Sequence, residues 1–184
     1  MKILIDMDGV LADFESGFLK LWKAEHPDKP FVPIEQRKTF FIAEQYPLDC
    51  KDLIWEIFSA PNFYRSLIPI EGGIKALGEL KKMGHDVFLC SSPLTAYRNC
   101  VLEKFEWVEF HLGKEWVDNI ILSMDKTMIK GDLLIDDRSD IQGCDIPSWE
   151  HILYNQPYNR AYTGKRRLEW NNWKSVLMPA IPET

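Results

Sequence analysis

Asp6 and Asp8 stand two residues apart, directly after the apolar run that begins at Ile3, and Gly9 follows them. In extended chain, side chains at i and i+2 share a face and lie roughly 6.5–7 Å apart. Such a pair can flank one small group, one carboxylate attacking while the other handles a proton. Burying both is costly unless a cation or a proton intervenes. Three more polar groups close apolar runs: Ser91 and Ser92 after 87–90, Lys126 after 119–122, and Asp136 and Asp137 after 133–135. Any one junction alone reads equally well as an ordinary turn, since Asp, Ser and Gly are common turn residues. Four together form a kit for phosphoryl chemistry. An Asp can attack phosphorus to give an aspartyl-phosphate. Lys126 can hold the phosphoryl group, and the Ser91–Ser92 turn offers hydrogen-bond donors. A hard divalent cation with all-oxygen ligation, which suits Mg²⁺, would relieve repulsion among Asp6, Asp8, Asp136 and Asp137.

The elements that must position these residues follow from periodicity. Apolar runs at 2–5, 87–90, 119–122, 133–135 and 151–154 predict strands. Helical spacing recurs at 14–26, 72–83 and 97–112, the last with Val101, Leu102, Phe105, Val108 and Leu112 facing inward. Strands alternating with helices predict an α/β fold: a Rossmann-like three-layer α/β/α core around a mostly parallel sheet. In such a sheet the strand ends converge on one edge, outside which ligands bind. Between Pro27 and Pro69 the pattern breaks, with short helices expected at 34–41 and 48–58. The expected division is a core of residues 1–14 and 70–184 and a helical cap, 15–69, that serves as a lid over the site.

A chain of 184 residues with 46% hydrophobic content can bury one full core. The net charge of −6 argues against a dedicated binder of nucleic-acid polymers but admits a small anion, because a local lysine or metal can dominate a site. No stretch reaches the ~20 apolar residues of a membrane span. The chain enters its first strand at once, which leaves no room for a signal peptide and makes the cytoplasm the expected compartment. Cys50, Cys90, Cys100 and Cys144 show no C-x-x-C spacing, so reduced structural thiols are expected. Lys165-Arg166-Arg167 reads as a solvated helix start, and Trp149, Trp170 and Trp173 as anchors for the C-terminal segment.

DMDGVLADFE, FFIAEQYP, the SSP turn, KFEWVEFHLG, MDKT, LLIDDR and PSWEHIL together resemble the 5′(3′)-deoxyribonucleotidase family of the haloacid-dehalogenase-like (HAD) phosphatases, over nearly the whole chain. The resemblance implies that Asp6 is the nucleophile and Asp8 the general acid and base. It implies Mg²⁺ held by Asp6, the Asp8 carbonyl and Asp137, with Asp136 in support. Ser91, Ser92 and Lys126 would bind phosphate, Ser91 standing where relatives often carry threonine. Phe14, Phe40, Phe41, Ile42 and Tyr64 match positions that enclose base and sugar, Phe41 standing where relatives carry tryptophan. On composition alone these aromatics read rather as the core of a small lid. The implied partner is a nucleoside monophosphate, and the implied assembly a homodimer. Two other readings stand beside this one: a HAD phosphatase for a sugar phosphate, and a phosphoacceptor signalling module. The second carboxylate of the pair and the aromatic lid count against the signalling module.

Overall fold

The computed structural model describes residues 1–178. Six strands form one parallel sheet: β1 (Lys2–Ile5), β2 (Asp86–Ser91), β3 (Ile120–Leu122), β4 (Leu133–Asp136), β5 (Glu150–Tyr154) and β6 (Arg167–Leu168), in the order 3-2-1-4-5-6. β1 lies at the centre, Ile3 pairing with Val87 on one side and Leu133 on the other. Ile3, Leu4 and Ile5 are fully buried, which is why this strand reads as a continuous apolar run. The direction of winding reverses between β1 and β4. The crevice at such a reversal is where doubly wound folds bind ligands.

Helices α1 (Phe14–Glu25), α2 (Lys51–Phe58), α3 (Gly73–Lys82), α4 (Cys100–Leu112) and α5 (Trp173–Leu177) complete the architecture. Asp13 caps α1 by accepting from the Ser16 N–H at 3.0 Å. The chain leaves the core after Ala12 and returns at Pro69, and the two crossings are tied side by side. Asp13 N donates to Ile68 O at 2.8 Å, and Ile70 N to Leu11 O at 2.7 Å. Between the crossings lie α1, α2 and three short 3-10 turns.

Four expectations need correction. The 34–41 helix is only the 3-10 turn Ile34–Gln36, because Gln45 Oε1 takes the N–H groups of Lys38 and Thr39 and draws the chain into a loop. The inward face of α4 is rotated. Val101 and Leu102 are exposed, while Cys100, Glu103, Lys104, Trp107 and Val108 are buried. The charged pair turns inward because both side chains find partners there. Glu103 accepts from the N–H groups of Asn62 and Tyr64 and from the Tyr97 hydroxyl, clasping the returning segment. Lys165–Arg167 leads into β6 rather than a helix, with Arg166 paired to Glu150 at 2.7 Å. Trp149 packs with Leu4, Cys90 and Leu134 and donates to Lys126 O. Trp170 and Trp173 do join the core near α5. All four cysteines are free.

Candidate active site

β1 ends in Asp6, and the chain then folds into a tight turn in which the Met7 carbonyl accepts from Val10, Leu11 and Ala12. Gly9 sits at φ +75°, and a Cβ there would collide with the Asp137 carboxylate. The turn therefore needs glycine twice over, for its backbone and for the approach of the neighbouring strand end. β4 ends in Asp136, followed by Asp137, and the 3-10 turn Lys126–Met128 brings Lys126 alongside. Lys126 Nζ lies 2.8 Å from Asp6 Oδ1 and 2.6 Å from Asp136 Oδ2.

Asp6, Asp136 and Asp137 each present an oxygen within 4.8 Å of the others. Asp6 Oδ1 is buried and faces Lys126 outside hydrogen-bond geometry. Burial pushes the Asp6 carboxyl up, against the pull of Lys126, and Asp136 adds to the rise. Asp137 is held well above the usual carboxylate range by burial and then by the charges of Asp136 and Asp6. Burial opposes the charge on Lys126, but Asp136 and Asp6 more than offset it and keep the ammonium protonated. Crowded hard oxygens that would rather hold protons are what a small divalent cation satisfies, so the residues present fit a hard divalent cation.

Asp8 points toward the cavity from the same turn and is half-buried. Its Oδ2 accepts from Lys104 Nζ at 2.6 Å. Burial raises the Asp8 carboxyl, and Lys104 opposes that rise. Lys104 is fully buried and lies 5.1 Å from the centre of the Tyr64 ring. The sequence pattern did not single it out, because its partner Asp8 lies 96 residues away. Ser91 is buried at the end of β2. Ser92 is exposed, and its hydroxyl proton is engaged with Ser123 O at 2.8 Å.

Every residue expected at the site lines one cavity of about 320 Å³. Asp6, Asp8, Ser91, Lys126, Asp136 and Asp137 form its floor, and half-buried Phe14 with buried Ile42 and Tyr64 a wall. Phe14 packs 5.2 Å from both Phe58 and Phe63, so part of that wall is also core. Phe40 and Phe41 differ: both are exposed at the mouth, with the Arg138 guanidinium 5.5 and 5.8 Å from their ring centres. Trp55, Met124, Ile141 and Gln142 also line the cavity and carried no signal in the sequence. Beneath the Phe40 loop, Arg37 forms a buried pair with Glu15 at 2.8 Å.

Two further groups brace the floor from behind. His151 lies with Nε2 3.4 Å from Asp136 O and Nδ1 2.7 Å from Lys165 Nζ. Burial and then Lys165 push this imidazole down to about 4, so it is neutral at pH 7. Tyr158 lines the cavity, and its hydroxyl donates to Asp137.

Comparison with known proteins gives a consistent picture. The family model described as "5′ nucleotidase, deoxy (Pyrimidine), cytosolic type C protein" matches residues 1–180. A Bordetella pertussis protein provisionally named a 5′(3′)-deoxyribonucleotidase is 50% identical over 96% of this chain and 95% of its own length. The Homo sapiens 5′(3′)-deoxyribonucleotidase, cytosolic type, is 44% identical over 96% of this chain and 93% of its own. A HAD-hydrolase from Bacillus subtilis, solved bound to magnesium, superposes with a TM-score of 0.59 over 96% of this chain and 98% of that one, at 11% identity.

Proposed function

The chain belongs to the 5′(3′)-deoxyribonucleotidase family of HAD-type phosphoric monoester hydrolases, and from that premise we propose that it hydrolyses deoxyribonucleoside monophosphates with Mg²⁺. The observation that carries this reading is that a carboxylate–lysine floor and an aromatic wall line the same cavity. The floor suits a phosphate, and the wall suits a flat base, which stacks for about 1–3 kcal/mol on an aromatic ring. Phe40 and Phe41 support the assignment most directly. Aromatic rings left exposed beside a cavity do no packing work in the core and invite a ligand. An apolar wall beside the sugar would leave a 2′-hydroxyl unpaired, which favours deoxyribose.

In this mechanism Asp6 attacks phosphorus while Asp8 gives its proton to the departing nucleoside oxygen. Burial raises the Asp8 carboxyl and so favours its holding that proton in the first step. Asp8, now ionised and paired with Lys104, then takes a proton from the water that hydrolyses the aspartyl-phosphate. Lys126 and the Ser91–Ser92 turn hold the phosphoryl oxygens throughout. Asp6, Asp137 and the Asp8 carbonyl would hold Mg²⁺, with Asp136 behind them; when bound it supplies charge neutralisation for phosphate beside four carboxylates. Residues 15–69 serve as the cap that excludes water from this exchange.

The test is phosphate release with Mg²⁺ from dUMP, dTMP, dGMP, UMP, a 3′-deoxynucleotide and a sugar phosphate, with Asp6→Asn as the blank. Preferred turnover of the deoxynucleotides, and loss of at least about 10⁴-fold in the blank, is expected. Turnover of the sugar phosphate alone would discard the nucleotide assignment, and an active Asp6→Asn would discard the nucleophile.

A further inference from the structure

The loop after β5 supplies a fifth strand end to the site. Gln156, Tyr158 and Asn159 sit in and beside the 3-10 turn Pro157–Asn159, and each binds one of the catalytic turns. Gln156 Nε2 donates to Gly9 O at 2.6 Å, within the turn that carries Asp8. Asn159 Nδ2 donates to Asp137 O at 2.7 Å and to Tyr154 O at 2.8 Å, fixing the Asp137 backbone to the end of β5. The Tyr158 hydroxyl donates to Asp137 Oδ2. A single four-residue strap therefore registers the β1 turn against the β4 turn.

Tyr158 also reaches the cap. Its ring meets Phe40 edge-to-face at 6.0 Å, and the Arg37 guanidinium lies 5.8 Å from its centre. Arg37 is held by Glu15 and donates to the Phe40 carbonyl at 3.3 Å. One buried phenol thus touches a carboxylate of the acidic cluster with its oxygen and the aromatic mouth with its ring. A carboxylate with one oxygen committed to a fixed donor can swing only one way, leaving its other oxygen to the cluster.

We propose that Tyr158 is a positioning residue that sets Asp137 for the divalent cation and couples that setting to the Phe40 side of the nucleotide pocket. The proposal rests on the metal-dependent reading above. Removing a hydrogen-bond partner of a metal-ligating carboxylate typically weakens metal binding about 10–100-fold. Tyr158→Phe keeps the ring and deletes only the donor. It should weaken Mg²⁺ binding by about 10-fold or more, measured by calorimetric titration with MgCl₂ in the absence of substrate. At saturating Mg²⁺ its KM for dUMP should match the wild type. Tyr158→Leu deletes the ring as well and should raise that KM several-fold above the Tyr158→Phe value.

Wild-type Mg²⁺ affinity in Tyr158→Phe overturns the proposal. So does a Tyr158→Phe KM for dUMP that rises as far as that of Tyr158→Leu, since a general loosening moves both together. Absence of Mg²⁺ binding by the wild-type protein overturns the metal-dependent reading itself, and the failed control marks that case apart. If Tyr158→Leu does not fold, the calorimetry of Tyr158→Phe still decides.

Discussion

Replacing Lys104 by methionine removes the positive charge beside Asp8, the proposed acid–base residue, and little volume. The ammonium is 2.6 Å from Asp8 Oδ2 and its side chain is 1% exposed, so water cannot take its place in the wild-type protein. An opposite charge this close lowers a carboxyl pKa by about 1–3 units. Burial and Asp6 both push Asp8 up, and Lys104 is the foremost group opposing them. Its loss therefore lets Asp8 rise further. In the proposed mechanism the first chemical step needs Asp8 protonated and fails as pH climbs through its pKa; the second needs it ionised and fails as pH drops through the same value. Both limbs of the pH–rate profile should move to higher pH, by about 1–3 units. At pH 6–7 the variant should phosphorylate normally and hydrolyse slowly, accumulating phosphoenzyme. Profiles of kcat and kcat/KM on dUMP between pH 5 and 9, with acid quenching to trap labelled enzyme, test this. Limbs that stay in place or move down would refute the pairing as a control on Asp8.

Two further outcomes follow from the cluster. Asp6, Asp8 and Asp137 are raised on folding, so the folded protein binds more protons than the unfolded chain, and their contribution to stability is lost as pH rises through the folded values. Mg²⁺ should reverse that loss: at 100 times Kd it contributes about 2.7 kcal/mol, or roughly 5–10 °C in Tm, and the gain should shrink as protons compete between pH 8 and 5. A melting curve insensitive to Mg²⁺ at every pH would count against the cation. Gly9→Ala forces an L side chain to φ +75°, at about 1–2 kcal/mol, and sets a methyl against Asp137 and 2.9 Å from the Tyr158 hydroxyl. Activity should fall at least about 100-fold while the protein still folds; near-normal kcat would show that the two turns tolerate separation.

The strands were legible because each is a short apolar run stopped by a polar group, and burial on both faces leaves no other pattern for a central parallel strand. Asp6, Lys126 and Asp137 were legible for the same reason: their positions at strand ends place them together. α4 was misread at the positions that serve the site. Glu103 and Lys104 break the apolar periodicity because one holds the returning cap segment and the other holds Asp8. A pattern argument sends charges to solvent unless their partners are known, and these partners lie 39 and 96 residues away. β6 is two residues long, too short for any period. The strap at Gln156–Asn159 looked like a turn, and its hydrogen bonds to Gly9 and Asp137 exist only once the sheet is assembled.

Charge balance explains how a chain of net charge −6 can receive a dianionic substrate. The floor holds four carboxylates, Asp6, Asp8, Asp136 and Asp137, against two ammonium groups, Lys104 and Lys126. Fully ionised, that floor is doubly negative and repels phosphate. One divalent cation held there would bring it to neutrality. A proton on Asp8, which burial favours, would make it singly positive, the state that in the proposed mechanism attracts the substrate and is armed to protonate its leaving group. In the proposed mechanism Asp8 is ionised after transfer, and Lys104 stabilises it as the base for the second step. The same carboxyl thus tunes both the affinity for phosphate and the direction of proton flow. On this mechanism turnover should depend on Lys104, although it is remote from the four strand ends in sequence.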